Sequence, residues 1–165
     1  MNRSVNHAGI LLGSNIEPEK NLILALKLLS EGFGNLRFSS AWESQSVGSD
    51  GPNYLNAAIL VETPLDAKAV YQQILRPLEN RLGRVRHEDK FAPRTIDLDI
   101  VTWNQDTVDQ EIWKSAHAAL PTSQLLPYLR LHQTGETLSE IAERLAQTVW
   151  VRERADVLQR VATMV

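Results

Sequence analysis

The stretch GRVRHEDKFAPRTIDLDIV, residues 83–101, contains the most specific pattern in the chain. Its second half alternates strictly between apolar side chains at positions 96, 98 and 100 and polar side chains at positions 95, 97 and 99. This period is typical of a β-strand with one buried face and one acidic face. Along such a strand Asp97 and Asp99 would lie about 6–7 Å apart, and they would repel each other unless a cation or water separates them.

Basic residues precede the acid pair in the same stretch, among them Arg84, Arg86 and Arg94. Carboxylate oxygens are suitable ligands for Mg²⁺, and guanidinium groups bind phosphate oxygens through paired hydrogen bonds. The pattern therefore predicts a site for a magnesium–polyphosphate complex. The alternative explanation is a solvated polar strand beside a basic surface loop.

The last twelve residues of this stretch, KFAPRTIDLDIV, resemble the signature of the 6-hydroxymethyl-7,8-dihydropterin pyrophosphokinases, a family of folate-pathway enzymes. The resemblance extends to Gly13-Ser14-Asn15 after the first apolar run, and to Tyr54-x-Asn56. It implies that the protein transfers diphosphate from ATP to the hydroxymethyl group of a dihydropterin and releases AMP. It also implies that two Mg²⁺ ions assist the reaction.

The resemblance assigns roles to eight positions, and it places Arg86 on a loop that closes over the site. The implied residues are Arg84, Arg94, Asp97 and Asp99 for catalysis; Glu79, Arg84 and Arg94 for the nucleotide; Tyr54, Asn56 and Phe91 for the pterin; and Asp97 and Asp99 for the metal ions. The Asn56 amide suits the amide edge of a pterin ring, because it offers a donor and an acceptor together. The alternative for Asn56 is a structural role, in which its amide is hydrogen-bonded within the protein. The alternative for Glu79 is a solvent-exposed glutamate on a helix face.

The periodicity predicts an α+β fold. We expect strands over residues 8–12, 36–43, 54–62 and 95–101, one helix beginning near Pro18, and another capped by Asp66 and kinked or ended by Pro77. The order β-α-β-β-α-β over residues 8–103 predicts a ferredoxin-like antiparallel sheet with helices on one face. RNA-recognition modules share this order, but they require aromatic and basic residues where this chain carries acids.

Residues 104–165 diverge from the family pattern. The family has a Pro-His pair, an arginine and an aromatic after the acidic strand, whereas here Pro121 is followed by Thr-Ser-Gln and the segment is several residues shorter. Three nearby residues are out of register and receive no role: His117, Arg130 and His132. A capping box at Thr137-x-x-Glu140 predicts a helix to residue 145, and residues 151–161 are expected to form another helix. We expect both segments to serve packing.

The composition narrows the class of protein. A chain of 165 residues is expected to form a single domain, 1–165, and its net charge of -3 gives no basic field for nucleic acid. It has no cysteine, and no apolar run has the length of a membrane span. We therefore expect a cytoplasmic enzyme that acts on small molecules, with its protein partners left open. The alternatives are a non-catalytic paralogue that binds nucleotide or pterin, and another Mg²⁺-dependent transferase.

Overall fold

In the computed structural model, which describes residues 4–46, 51–85 and 92–162, seven strands form one antiparallel sheet. The strands are β1 (Asn6–Ser14), β2 (Leu36–Phe38), β3 (Ala41–Ser44), β4 (Tyr54–Thr63), β5 (Asp97–Trp103), β6 (Asp106–Thr107) and β7 (Val151–Arg154). Their spatial order is β6-β5-β1-β4-β3-β7, and β2 also pairs with β4. The central order β5-β1-β4-β3 confirms the ferredoxin-like sheet.

Helices connect and cover these strands. They are α1 (Pro18–Phe33), α2 (Ala67–Val70), a π-helical turn (Tyr71–Leu75), α3 (Arg76–Arg81), a 3₁₀ turn (Gln110–Trp113), α4 (Ala116–Leu125), α5 (Leu138–Ala146) and α6 (Ala155–Ala162). Among the described residues no helix is long and apolar enough to cross a membrane.

The second strand of the predicted order is divided into β2 and β3, and both parts pair with β4. Ser39 lies between them, where its backbone N–H donates to the Ala58 carbonyl at 2.9 Å and its hydroxyl accepts from the Ala58 N–H at 2.8 Å. A side chain therefore replaces one backbone acceptor of the ladder. The sheet stays continuous at a position where the expected single strand, 36–43, is interrupted.

Two apolar layers cover opposite faces of the sheet. One layer packs α1, α6 and the helical segment 67–81 against strand residues such as Ile10, Leu12 and Leu98. The other packs α4 and α5 against residues such as Leu11 and Val101. The two helical segments of the 8–103 core, α1 and 67–81, thus lie on one face as expected, and the additional C-terminal helices α4 and α5 cover the other face. The apolar side of α4, whose Ala118 and Ala119 are fully buried, requires a second sheet face to cover it.

The segment that begins at Asp66 forms the expected helix, and the Asp66 carboxylate caps it by accepting from the Ala69 N–H at 2.8 Å. Pro77 does not end this helix, which continues to Arg81. A π-helical turn, Tyr71–Leu75, directly precedes α3, in which Pro77 is the second residue. A wider turn is one way in which a helix accommodates proline, because proline has no N–H and its ring crowds the preceding turn.

The C-terminal prediction is half right. The capping box at Thr137 and Glu140 is present and begins α5, as predicted. Residues Val151–Arg154 form strand β7, however, and the helix begins only at Ala155. The expectation of a helix over all of 151–161 is wrong because β7 is held by antiparallel pairing with β3, more than 100 residues earlier in the chain.

Candidate active site

A cavity of about 310 Å³ opens on the sheet face that α4 and α5 partly cover. Strands β1, β3, β4 and β5 supply its floor, and the segment from Asp109 to His117 supplies one wall. The described lining residues are Leu11, Gly13, Ser44, Gln45, Tyr54, Asn56, Arg94, Asp97, Asp99, Asp109, Glu111, Ser115 and His117. Five of the eight positions assigned from the sequence thus meet in one cavity.

Gly13 lies at the centre of this floor. In the antiparallel register it pairs with Asn56 on one side and with Asp97 on the other. A Cβ atom at this position would lie 3.0 Å from Asn56 Oδ1 and 4.0 Å from Tyr54 Cδ1. The glycine therefore leaves space between the residues expected to bind the pterin and those expected to bind the metal.

The acid pair lies on β5 as the alternation predicts, with the apolar residues between and beside the carboxylates fully buried. Arg94 Nη1 donates to Asp97 Oδ2 at 2.8 Å, and Arg76 Nη2 lies 3.6 Å from Asp99 Oδ1. Burial, followed by the nearby charge of Asp97, raises the pKa of Asp99 to about 6. Bringing a positive charge to this pair would relieve the repulsion that raises this pKa.

The described residues contain no group of three or more His, Cys, Asp or Glu side chains that could hold a metal ion. A cation bound by Asp97 and Asp99 would need its other ligands from phosphate oxygens and water. Mg²⁺ adopts this coordination with substrate phosphates, because it retains water and binds through one or two carboxylates. The residues present therefore fit a magnesium–nucleotide complex.

The outer edge of β5 pairs with no strand between Asp97 and Ile100 in the described parts of the chain. Side chains from the helical segment 67–81 form hydrogen bonds to this edge. Glu79 Oε2 accepts from the Leu98 N–H at 2.9 Å, and the Tyr71 hydroxyl accepts from the Ile100 N–H at 2.9 Å. Arg76 Nη1 donates to the Leu98 carbonyl at 3.2 Å and to Glu79 Oε1 at 2.7 Å. These contacts hold the backbone on both sides of Asp99.

On the other side of Gly13, Asn56 is buried and its Nδ2 donates to Ser44 Oγ at 3.0 Å. This contact orients the amide, so that Oδ1 is directed toward the space above Gly13. Tyr54 is half-buried in the same wall. A polar amide beside an aromatic ring can recognise a flat heterocycle through hydrogen bonds and stacking.

The remaining predicted positions are not among the described residues that line the cavity. Glu79 is 1% exposed and is directed at the edge of β5, and Arg84 is half-buried at the start of the segment after α3; neither is among the described residues that line the cavity. Phe91 and Arg86 lie outside the described residues. The roles assigned to these four residues therefore stay predictions.

His117 received no predicted role, yet its side chain lines the cavity together with Asp109, Glu111 and Ser115. Burial lowers the pKa of His117, and the charges of Glu111 and Asp109 oppose this effect. The available signal was the pair Ala116-His117, because the family carries Pro-His after its acidic strand. Arg130, which donates to the Gly135 carbonyl, and His132 are not among the described lining residues.

Comparisons with known proteins identify relatives of this chain. The family model for 7,8-dihydro-6-hydroxymethylpterin-pyrophosphokinase (HPPK) matches residues 9–147. A 2-amino-4-hydroxy-6-hydroxymethyldihydropteridine pyrophosphokinase from Bacillus subtilis is 32% identical over 142 residues, which cover 84% of this chain and 77% of the relative. Proteins of the same name from Synechocystis sp. and Pseudomonas putida are 27% identical over 151 residues and 34% identical over 109 residues. The Synechocystis match covers 84% of this chain and 76% of the relative. The Pseudomonas match covers 64% of this chain and 89% of the relative.

Proposed function

The chain belongs to the 7,8-dihydro-6-hydroxymethylpterin-pyrophosphokinase family, and on that premise we propose that its cavity transfers diphosphate from ATP to the hydroxymethyl group of 6-hydroxymethyl-7,8-dihydropterin. This is a step of folate biosynthesis, and AMP is the second product. One observation carries the proposal: Gly13 pairs with both Asn56 and Asp97, so a side-chain amide and a carboxylate border the same space.

The reaction exchanges one phosphorus–oxygen bond for another. The hydroxymethyl oxygen of the pterin forms a bond to the β-phosphorus of ATP. The bond from that phosphorus to the bridging oxygen of the α-phosphate breaks, and AMP leaves with this oxygen. Because the chain makes no covalent bond to either substrate, its contribution is to align them and to stabilise charge.

Asp97 and Asp99 would hold two Mg²⁺ ions. When bound, such ions neutralise phosphate charge and polarise the group that is transferred. Arg94 would bind phosphate oxygens, which its place in the cavity wall beside Asp97 supports. Arg84 would do the same, and the support for this role is the family resemblance of the surrounding stretch.

Asn56 would bind the amide edge of the pterin through Oδ1, and Tyr54 would stack on the ring, as their places in the cavity wall support. Phe91 would supply a second aromatic contact, which rests on the resemblance alone. His117 would contact the phosphates, which its place in the same cavity wall as Arg94 and the acid pair supports. Glu79 would act on the nucleotide indirectly, through the edge of β5.

A second candidate is a paralogue that binds both ligands without catalysis. The specific observation in its favour is the shortened segment before Leu125, which lacks the family's arginine and aromatic in register. Another Mg²⁺-dependent transferase on the same strands is the third possibility, and it would transfer to a different acceptor. We further propose a cytoplasmic enzyme of one domain, in line with the absence of cysteine from the sequence.

The test is direct. The protein is incubated with Mg-ATP and 6-hydroxymethyl-7,8-dihydropterin, and AMP and the pterin diphosphate are quantified by chromatography. We expect AMP and pterin diphosphate in equal amounts, and no AMP when the pterin is left out or when Asp97→Asn replaces the wild type. ADP instead of AMP, or AMP without the pterin diphosphate, would exclude the proposed reaction.

A further inference from the structure

Asn15 follows β1 directly and is 2% exposed. Its side chain has hydrogen bonds in two directions. Oδ1 accepts from the backbone N–H of Arg94 at 2.8 Å, and Nδ2 donates to the carbonyl of Pro52 at 3.3 Å. The backbone N–H of Asn15 also donates to the Arg94 carbonyl at 3.1 Å. Asn15 thus contacts two segments that are far apart in the chain.

These segments belong to opposite sides of the cavity. On one side, Arg94 is fixed at both of its backbone polar groups by Asn15, and its guanidinium donates to the carboxylate of Asp97. On the other side, Pro52 lies two residues before Tyr54, the first residue of β4. The Pro52 carbonyl also accepts from Ser46 Oγ at 2.7 Å, so this acceptor joins the two ends of the loop between β3 and β4.

A carboxamide is needed for this double contact. The Arg94 N–H requires an acceptor, and the Pro52 carbonyl requires a donor. Among side chains of this size, only asparagine carries both groups on one carbon; an aspartate at pH 7 offers acceptors alone. A shift of the loop therefore alters the orientation of the same planar amide that holds Arg94.

We propose that Asn15 is a positioning residue that couples the pterin side of the cavity to the phosphate side. This inference rests on the proposed function, because it requires both ligands to bind. When one ligand orders its side, the amide of Asn15 holds the other side in the conformation that its ligand needs. Each ligand therefore raises the affinity for the other, by an equal factor in both directions.

The test separates coupling from stability. The affinity for 6-hydroxymethyl-7,8-dihydropterin is measured by calorimetry with and without saturating Mg²⁺ and α,β-methylene-ATP, in which the bond that breaks is blocked. The ratio of the two dissociation constants is the coupling factor. We expect a factor of about 5 or more for the wild type, within the usual range for coupled sites, and a factor near 1 for Asn15→Ala.

Two further variants complete the design. Asn15→Asp keeps an acceptor for the Arg94 N–H and removes the donor to Pro52, so we expect it to bind the magnesium–nucleotide analogue nearly as the wild type does and still to lose the coupling. Asn21→Ala is the matched control. Asn21 is a buried asparagine near the start of α1, and its Nδ2 donates to the Ile16 carbonyl at 2.6 Å. We expect Asn21→Ala to lower the free energy of unfolding and to keep the wild-type coupling factor.

Each outcome decides the inference. A wild-type factor of 1 with both ligands bound overturns it and leaves the proposed function intact. Coupling that survives in Asn15→Asp and in any folded Asn15→Ala also overturns it, as does coupling lost equally in Asn21→Ala, since general destabilisation would then be sufficient. A wild type that binds neither ligand overturns the proposed function itself.

Discussion

At the scale of single residues, Gly13 determines how much space the cavity has. We expect Gly13→Ala to fold and to weaken pterin binding by at least about tenfold, because the new methyl group would lie 3.0 Å from Asn56 Oδ1 and project where the ring is expected. Calorimetry with 6-hydroxymethyl-7,8-dihydropterin measures the loss. Gly32→Ala is the control, since its Cβ would meet only Ile74 Cγ2 at 3.6 Å. Unchanged binding in Gly13→Ala would place the ring elsewhere.

The raised pKa of Asp99 makes a second residue-scale prediction. Its value of about 6 in the folded protein exceeds the ordinary 3.8, so the folded state holds this proton more tightly than the unfolded state. The free energy of unfolding therefore falls as the pH rises from about 4 to 6. With metal removed by a chelator, Asp99→Asn should match the wild type near pH 4 and exceed it at pH 7.

We expect this gain to be only about 0.5–1 kcal/mol, because the Asp99 side chain is 41% exposed and solvent screens its charge. Thermal unfolding across pH 4–8 measures it. The same variant should lose the stabilisation that Mg²⁺ and α,β-methylene-ATP give the wild type. Parallel pH profiles for the two proteins would show that Asp99 carries no such penalty, and retained stabilisation would remove Asp99 from the metal site.

His117 shows where reasoning from residues was insufficient. The acid pair could be identified because strand alternation is a local signal, and Tyr54 and Asn56 because polar residues are conspicuous in an apolar strand. The position of His117 depends on how the chain folds between β5 and α4, and no local period indicates that path. The partners of Glu79 were equally hidden, since only the folded strand brings the Leu98 N–H to its carboxylate.

At the scale of elements, the edge of β5 depends on a helix instead of a neighbouring strand. We expect Tyr71→Phe to lower the free energy of unfolding by about 1–2 kcal/mol, because the Ile100 N–H would lose its acceptor, the Tyr71 hydroxyl. Urea denaturation measures the change. Tyr128→Phe is the control, since Tyr128 is 84% exposed and its hydroxyl lies in water. Equal stabilities of the two variants would show that water replaces the lost acceptor at no cost.

The same elements show what a sequence can predict. Helix α5 could be placed because its capping box lies within four residues, and β4 because its apolar run is continuous. Strand β7 could not be predicted, since the segment 151–154 shows no alternation of apolar and polar residues and is held by pairing with β3. Its Arg154 binds Glu43 at 3.0 Å and Glu19 at 2.7 Å, and both partners are more than 100 residues away.

At the scale of the whole molecule, the shortened segment before Leu125 is expected to affect the catalytic rate. The acid pair, Arg94 and His117 are present, whereas the family's arginine and aromatic are absent from this part of the sequence. Loss of one charge-stabilising donor costs a factor of roughly 10² to 10³ in rate. We therefore expect AMP formation that is measurable, slower by this factor than in a relative with both residues, and accompanied by weak pterin binding.

Steady-state assays of this chain and of such a relative, under one set of conditions, measure the difference. Equal kcat values would show that other side chains of this chain compensate for the missing arginine. Absence of AMP while calorimetry shows both ligands bound would identify the binding paralogue.

The pairing of β7 with β3 also has a consequence for synthesis. All four central strands have been made once residue 103 has been translated, but the partner of β3 is completed only at residue 154. At about 5–20 residues per second, the ribosome needs roughly 3–10 s to add the intervening residues. During that interval the backbone groups of β3 on this side lack the neighbour that will cover them. This edge of the growing protein is therefore open to a chaperone or to a second nascent chain.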